Sequence, residues 1–498
     1  MVVTNQLKNQ HLLWRAGFGP MAEELNQLTN ASQKSYYQAL AKASRKTPTY
    51  LDVADNYLKG LVMGIDEVGK QQQRRELNEE ERRKVRQQMR DDIRSLNLEW
   101  MNQMVHSDAQ LREKISLFWH GHFASRNLNI FYQQQLLDVI RKNALGKFGD
   151  LLKEVSRSAA MINFLNNNQN RKDHPNENFA REVMELFTMG RGNYTENDIK
   201  EAARAFTGWG ANAKGEFVFR KGQHDFGQKT VLGKTGNFDG DEVLEILLQQ
   251  KETARFITTK IYRFFVNEQP DADKIEWLSA RFYQNGYDIS ALMEDIFTSD
   301  WFYSEKNIGT RIKSPVELLV GIRRILPMEL ENEEVQLLVQ RLLGQVLFYP
   351  PNVAGWPGGR NWIDSSSLMF RLRLPQLIHD SDEIRLSPKA DDDQMMGMKD
   401  QDTKKKAAKA GGNNKGEKAV NRVMRQQIQA SINWAPYVKR FEKTPKEKLV
   451  GELSKTLLQI PSSLKDQLVM QHADTSSRES FIKTATIQLM ATPEYQLC

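Results

Sequence analysis

Residues 176–209 read NENFAREVMELFTMGRGNYTENDIKEAARAFTGW, and the pattern in this run decides the fold class. Phe179, Val183, Leu186 and Phe187 fall at i, i+4, i+7 and i+8, the single apolar face of an amphipathic helix. Asn178, Arg181, Glu182 and Glu185 form a polar stripe beside it. Gly190 and Gly192 follow where a left-handed C-terminal cap would end that helix. Thr195 and Asp198 then resemble a capping box, with Asp in the place usually held by Glu or Gln. Ile199, Ala202, Ala203 and Phe206 supply the buried face of the next helix. The chain here builds core from helices.

The same periodicity extends in both directions. Towards the N-terminus, 128–165 reads as two helices, joined to the central run by the polar loop NNNQNRKDHPNEN (166–178). LREKISLFWHGHFAS (111–125) forms a helix with Leu111, Ile115, Phe118 and Trp119 facing a core, and Ser107 suits its N-cap. Residues 66–106 predict one long charged helix whose apolar stripe is Ile93, Leu96, Trp100 and Met104. Residues 7–45 are helical around the turn Gly17–Pro20, with Pro20 placed to open a second helix. Beyond Trp209, GEFVFRKGQHDFGQKTVLG (215–233) alternates apolar and polar residues between glycines and predicts a small β-hairpin. Helices resume at Asp239 and continue, interrupted by the compact loop YPPNVAGWPGGRNWID (349–364).

Residues 387–425 lack the apolar content for a core and read as a disordered, charged insertion or linker. The expected organisation is a mainly α, multi-helix domain over 1–386 with its small β element. The charged segment 387–425 follows, and helices over 426–498 complete the same domain. No repeat of fixed period is present.

Composition excludes several classes. Of 498 residues 40% are hydrophobic and nine are Trp, enough for a sizeable core. Cys498 is the single cysteine, so no intramolecular disulfide framework or cysteine-rich metal centre can form. The formal charge of +7 is concentrated in 389–425, which carries ten Lys/Arg and six Asp/Glu. That segment has no interleaved aromatics, so specific nucleic-acid binding is not expected. No run of about 18 apolar residues suggests a membrane span. The first residues show no basic region followed by an apolar run, which makes the cytoplasm the expected location.

Several segments resemble the bacterial family described as domain of unknown function 1800. They are HLLWRAGFGP, LREKISLFWHGHFAS, the central run 176–209, KTVLGKTGNFDG, ETARFITTKIYRFFV, KSPVELLVG, LGQVLFYPPNVAGWPGGRNWI and the terminal TPEYQL, in that order. The resemblance implies a mostly helical fold and one family unit with the charged segment inserted. Many members look exported, and many are encoded beside a sulfatase-like family, which implies a sulfatase-like partner.

Candidate chemistry comes from imidazoles and carboxylates. His120, His122 and His224 are the ligand type that Zn, Mn or Fe(II) takes. Two histidines two residues apart diverge on a regular helix, so His120 and His122 converge only if Gly121 breaks it. Glu182 and Glu185 share a helix face and could supply a further ligand or a general base, with Arg181 orienting an anion. Structurally, Arg181 also suits i,i+4 ion pairs with Glu177 and Glu185. Trp356, Arg360 and Trp362 on the glycine-shaped loop suit a sugar, peptide or flat ligand. Neither H-E-x-x-H nor G-x-S-x-G occurs, and Gly227 is one residue too far from Gly233-Lys234-Thr235 for a P-loop. Two functions follow as expectations: a metal-dependent or acid–base hydrolase using the His/Glu set, or a non-catalytic helical scaffold that binds a partner.

Overall fold

The computed structural model describes residues 3–56, 58–60, 78–212, 214–382, 428–462 and 466–498. The expected charged segment 387–425 and the first part of the 66–106 helix lie outside them. The architecture is mainly α with small two-stranded sheets. The long helix runs from Glu79 to His106 behind an Asn78–Glu81 capping box, and buries Ile93, Leu96, Trp100 and Met104 as its periodicity predicts.

Apolar faces gather into two clusters. The first joins Trp14 and Phe18 to the long helix, to Pro315–Ile325 and to Ser365–His379. The C-terminal helices Leu449–Leu457 and Arg478–Met490 complete it. The second joins Phe148, Phe179, Phe187 and Phe206 to the helices between Gly240 and Phe297. The helix Gln110–His122 lies between them. It sends Leu117 into the first and Leu111, Ile115, Phe118 and Trp119 into the second.

That placement buries the consecutive charges Arg112, Glu113 and Lys114, and each finds a counter-charge. Glu113 accepts from Arg112 at 3.0 Å and Arg141 at 2.9 Å, and Lys114 meets Glu317 at 2.5 Å. Buried charge persists only when matched in this way. Two expected caps differ. Ser107 ends the long helix and Ala109 precedes the next, while Pro20 lies before the short 3-10 turn Ala22–Asn26.

The β element spans more than 215–233 and is double. β1 (Trp209–Ala211) pairs antiparallel with β2 (Phe217–Phe219), and β3 (Lys229–Val231) with β4 (Lys234–Gly236). Leu232 and Gly233 both have positive φ, 49° and 77°, the geometry of a two-residue hairpin turn. The run that mimics a P-loop therefore opens a strand. A third pair, β5 (Met328–Leu330) with β6 (Ala430–Ile432), ties the chain before the charged segment to the chain after it.

Candidate functional site

The turn in the middle of the central run folds as its pattern predicts. Thr195 Oγ1 accepts from Asp198 N–H at 3.2 Å and Asp198 Oδ2 accepts from Thr195 N–H at 2.8 Å. Gly190 and Gly192 take φ of 76° and 87°. Before the glycines, Phe179, Val183 and Phe187 are buried as the periodicity predicts, but the helix changes type. Asn178–Glu182 is α-helical, but Val183–Thr188 is a π-helix. Such wide turns recur at functional sites.

The two carboxylates at this junction, Glu182 before the π-turn and Glu185 within it, differ in their surroundings. Glu185 accepts from Tyr194 Oη at 2.7 Å and from Arg191 Nε. Burial raises its pKa, but these donors outweigh burial and hold it below the ordinary range. Among the described residues Glu182 has no comparable donor; burial, and then the charge of Glu185, push it up. Arg181 is occupied elsewhere, donating to Glu196 at 2.9 and 2.7 Å and to Glu177 at 3.2 Å. Its expected pairing with Glu177 forms, but Glu185 pairs with Arg191. Tyr194 and Arg191 escaped the sequence analysis because they approach Glu185 through the glycine turn, not along the helix.

Gly121 does not break its helix, which continues to His122. At about 100° per residue the two imidazoles face opposite sides. His120 Nε2 accepts from Phe348 N–H at 3.2 Å, and its ring packs against Trp100, Phe348 and Trp356. Burial lowers its pKa to about 3, so it is neutral. Phe348 itself has φ of 68°, a costly conformation for a non-glycine residue, held beside His120. His122 Nε2 lies 3.2 Å from the Phe187 carbonyl of the π-turn, the geometry of an Nε2–H donor. Burial, and then the nearby Lys260, lower its pKa well below the ordinary value. His224 Nδ1 lies 2.8 Å from the Thr207 carbonyl, and burial lowers its pKa too.

The three histidines thus serve three separate main-chain contacts. Among the described residues no group of three or more His, Cys, Asp or Glu side chains is arranged to hold a metal ion. The donor set expected of His120, His122 and His224 does not fit one.

The glycine-shaped loop seats directly on this helix. A Cβ on Gly355, whose φ is 79°, would lie 2.2 Å from the Gly121 carbonyl oxygen, so only glycine permits the contact. Behind the loop is a cleft of about 500 Å3 lined by Trp356, Trp362, Arg341, Asn352, Asn361 and Asp364, among others. The Trp356 indole N–H is itself buried and has no hydrogen-bond partner among the described residues. Arg360, expected to share the site, does not line it. Its side chain is exposed and its main-chain N–H donates to Glu268 at 3.0 Å. Neither Glu182 nor Glu185 lines the cleft.

Comparison with protein families matches residues 11–497 to the family described as protein of unknown function (DUF1800). The chain belongs to the DUF1800 family. The match runs through both hydrophobic clusters, the π-turn and the tryptophan loop of this DUF1800 protein. No curated protein and no solved structure matches the chain. Among the described residues no helix is long and apolar enough to cross a membrane.

Proposed function

We propose that this DUF1800 protein binds a saccharide-sized polar ligand in the cleft between Trp356 and Trp362. The carrying observation is that Trp356 and Trp362 both line a cleft of about 500 Å3, and that the Trp356 indole N–H has no partner among the described residues. Buried donors are rarely left unpaired, and a turn of the indole towards the cleft would bring this one to a ligand hydroxyl. Tryptophan rings beside amide and carboxylate groups suit a ligand with C–H faces and hydroxyl edges. Titration of intrinsic fluorescence with an oligosaccharide panel tests this. Trp356→Phe, which retains an aromatic ring but loses the donor, is expected to weaken binding about tenfold, and Trp356→Ala to weaken it more. Equal affinity in native protein and Trp356→Ala, or no saccharide bound at all, refutes the reading.

A second reading, acid–base chemistry at the π-turn, is favoured by one observation. Glu182 and Glu185 have environments that push their pKa values apart, the arrangement that assigns acid and base roles in carboxylate pairs. Carbon-13 detected titration is expected to place Glu182 above the usual glutamate value and Glu185 below it. Coincident midpoints would remove the support for this reading.

A further inference from the structure

At the opposite end of the histidine helix lies a second cleft, of about 400 Å3. Its charged lining is wholly cationic: Arg45, Lys46, Arg112, Arg141 and Lys142, with hydroxyls that include Ser290. No Asp or Glu lines it. Behind the wall is Glu113, fully buried, which serves two guanidinium groups at once. One carboxylate cannot neutralise two arginines, so the buried triad carries a net positive charge.

Hydrogen bonding also leaves donors available. Arg112 uses three N–H groups, two on Glu113 and one on the Lys46 carbonyl at 2.6 Å. Arg141 likewise uses three, two on Glu113 and one on the Thr49 carbonyl at 2.7 Å. A guanidinium has five N–H donors, so each retains about two. Those carbonyl contacts also fix the 44–50 segment as the facing wall, which carries Arg45 and Lys46. Neither of these makes an ion pair among the described residues. Lys142 is half-exposed and pairs with Asp138 at 2.7 Å, so it contributes least.

We infer that this cleft is a binding site for a doubly charged tetrahedral oxyanion, a phosphate or sulfate group, free or carried on a small molecule. Five cationic side chains around one void match such a group in charge, and the arginine forks match it in geometry. The site is separate from the tryptophan cleft and does not depend on its ligand.

Calorimetric titration of the full chain with inorganic phosphate, at ionic strength held constant with sodium chloride, tests the site. Saturable binding is expected. The Arg45→Ala/Lys46→Ala variant, which spares the Glu113 triad and so keeps the fold, is expected to raise the dissociation constant at least about tenfold. Phenyl phosphate binding more tightly than inorganic phosphate would identify a monoester ligand, and equal binding the free anion; both support the site. Heats no larger than those of sodium chloride, or an affinity unchanged in the variant, would overturn it.

Discussion

His120 and Glu113 illustrate what burial does to single titratable residues here. His120 keeps its neutral form because the Phe348 N–H needs its Nε2 as an acceptor and no water reaches it. Its folded pKa of about 3 lies below the unfolded value of about 6.5. The unfolded chain therefore takes up the proton first, and stability falls as pH drops from about 6.5 towards 3. Between about pH 7 and 5.5 His120 alone should cost about 1 kcal/mol, and His122, shifted the same way, adds to it. Urea unfolding across that range, with His120→Asn for comparison, measures this; an unchanged pH slope in the variant contradicts it. Glu113 is a buried carboxylate held between two guanidinium groups. Glu113→Ala leaves Arg112 and Arg141 buried without their partner, and a loss of about 3–5 kcal/mol is expected. Glu317 is a second buried carboxylate, paired with Lys114 and Arg311. Burial would raise its carboxyl, but Lys114 and Arg311 hold it well below the usual range, so its stabilisation disappears only in acid.

Among the elements, caps and turns decide where helices stop and what they expose. Thr195→Ala removes one half of a reciprocal cap and should cost about 1 kcal/mol in denaturant unfolding, with the helix register unchanged. Gly355→Ala should cost about 1–3 kcal/mol, since it combines a strained φ with a Cβ placed against the Gly121 carbonyl. It should also abolish saccharide binding, because the loop must lift from the helix that seats Trp356. Retained binding in Gly355→Ala would separate the loop's position from the cleft's function. The π-turn is the element that decides where Glu185 finds its donors. Glu185, within it, receives Tyr194 and Arg191, while Glu182, three residues earlier, ends the α-helix before it.

The whole molecule is held by contacts between segments remote in sequence. The N-terminal helix meets the last residues, with Arg15 donating to the Cys498 main-chain oxygen at 2.6 Å and Lys313 to that of Tyr495 at 2.6 Å. On either side of the charged segment the chain ends are adjacent: Ile428 N–H donates to the Asp382 carbonyl at 3.1 Å, and β5 pairs with β6 just beyond. Replacing residues 383–427 by a short Gly/Ser linker should therefore leave the melting temperature within about 3 °C of the native value. A cooperative unfolding transition lost on excision would show that the segment is needed for the fold.

Helix content, the amphipathic faces of 176–209, the Thr195 cap and the apolar stripe of the long helix were all legible in the residues. Each rests on contacts within four positions along the chain, where local geometry alone sets the pattern. The absence of a disulfide framework was equally legible, since a single cysteine permits none. The site was legible only in part. Trp356 and Trp362 line a cleft as their loop suggested, but Arg360 turns to solvent and the histidines disperse. Those outcomes depend on which surface each side chain meets after packing. His120 finds Phe348, from a segment more than two hundred residues away, and His122 finds the Phe187 carbonyl of the π-turn. The cationic cleft was invisible for the same reason: Arg45, Arg112 and Arg141 belong to three separate elements. Their convergence follows from the helix Gln110–His122 being buried between two cores, where Glu113 must draw both guanidinium groups to itself.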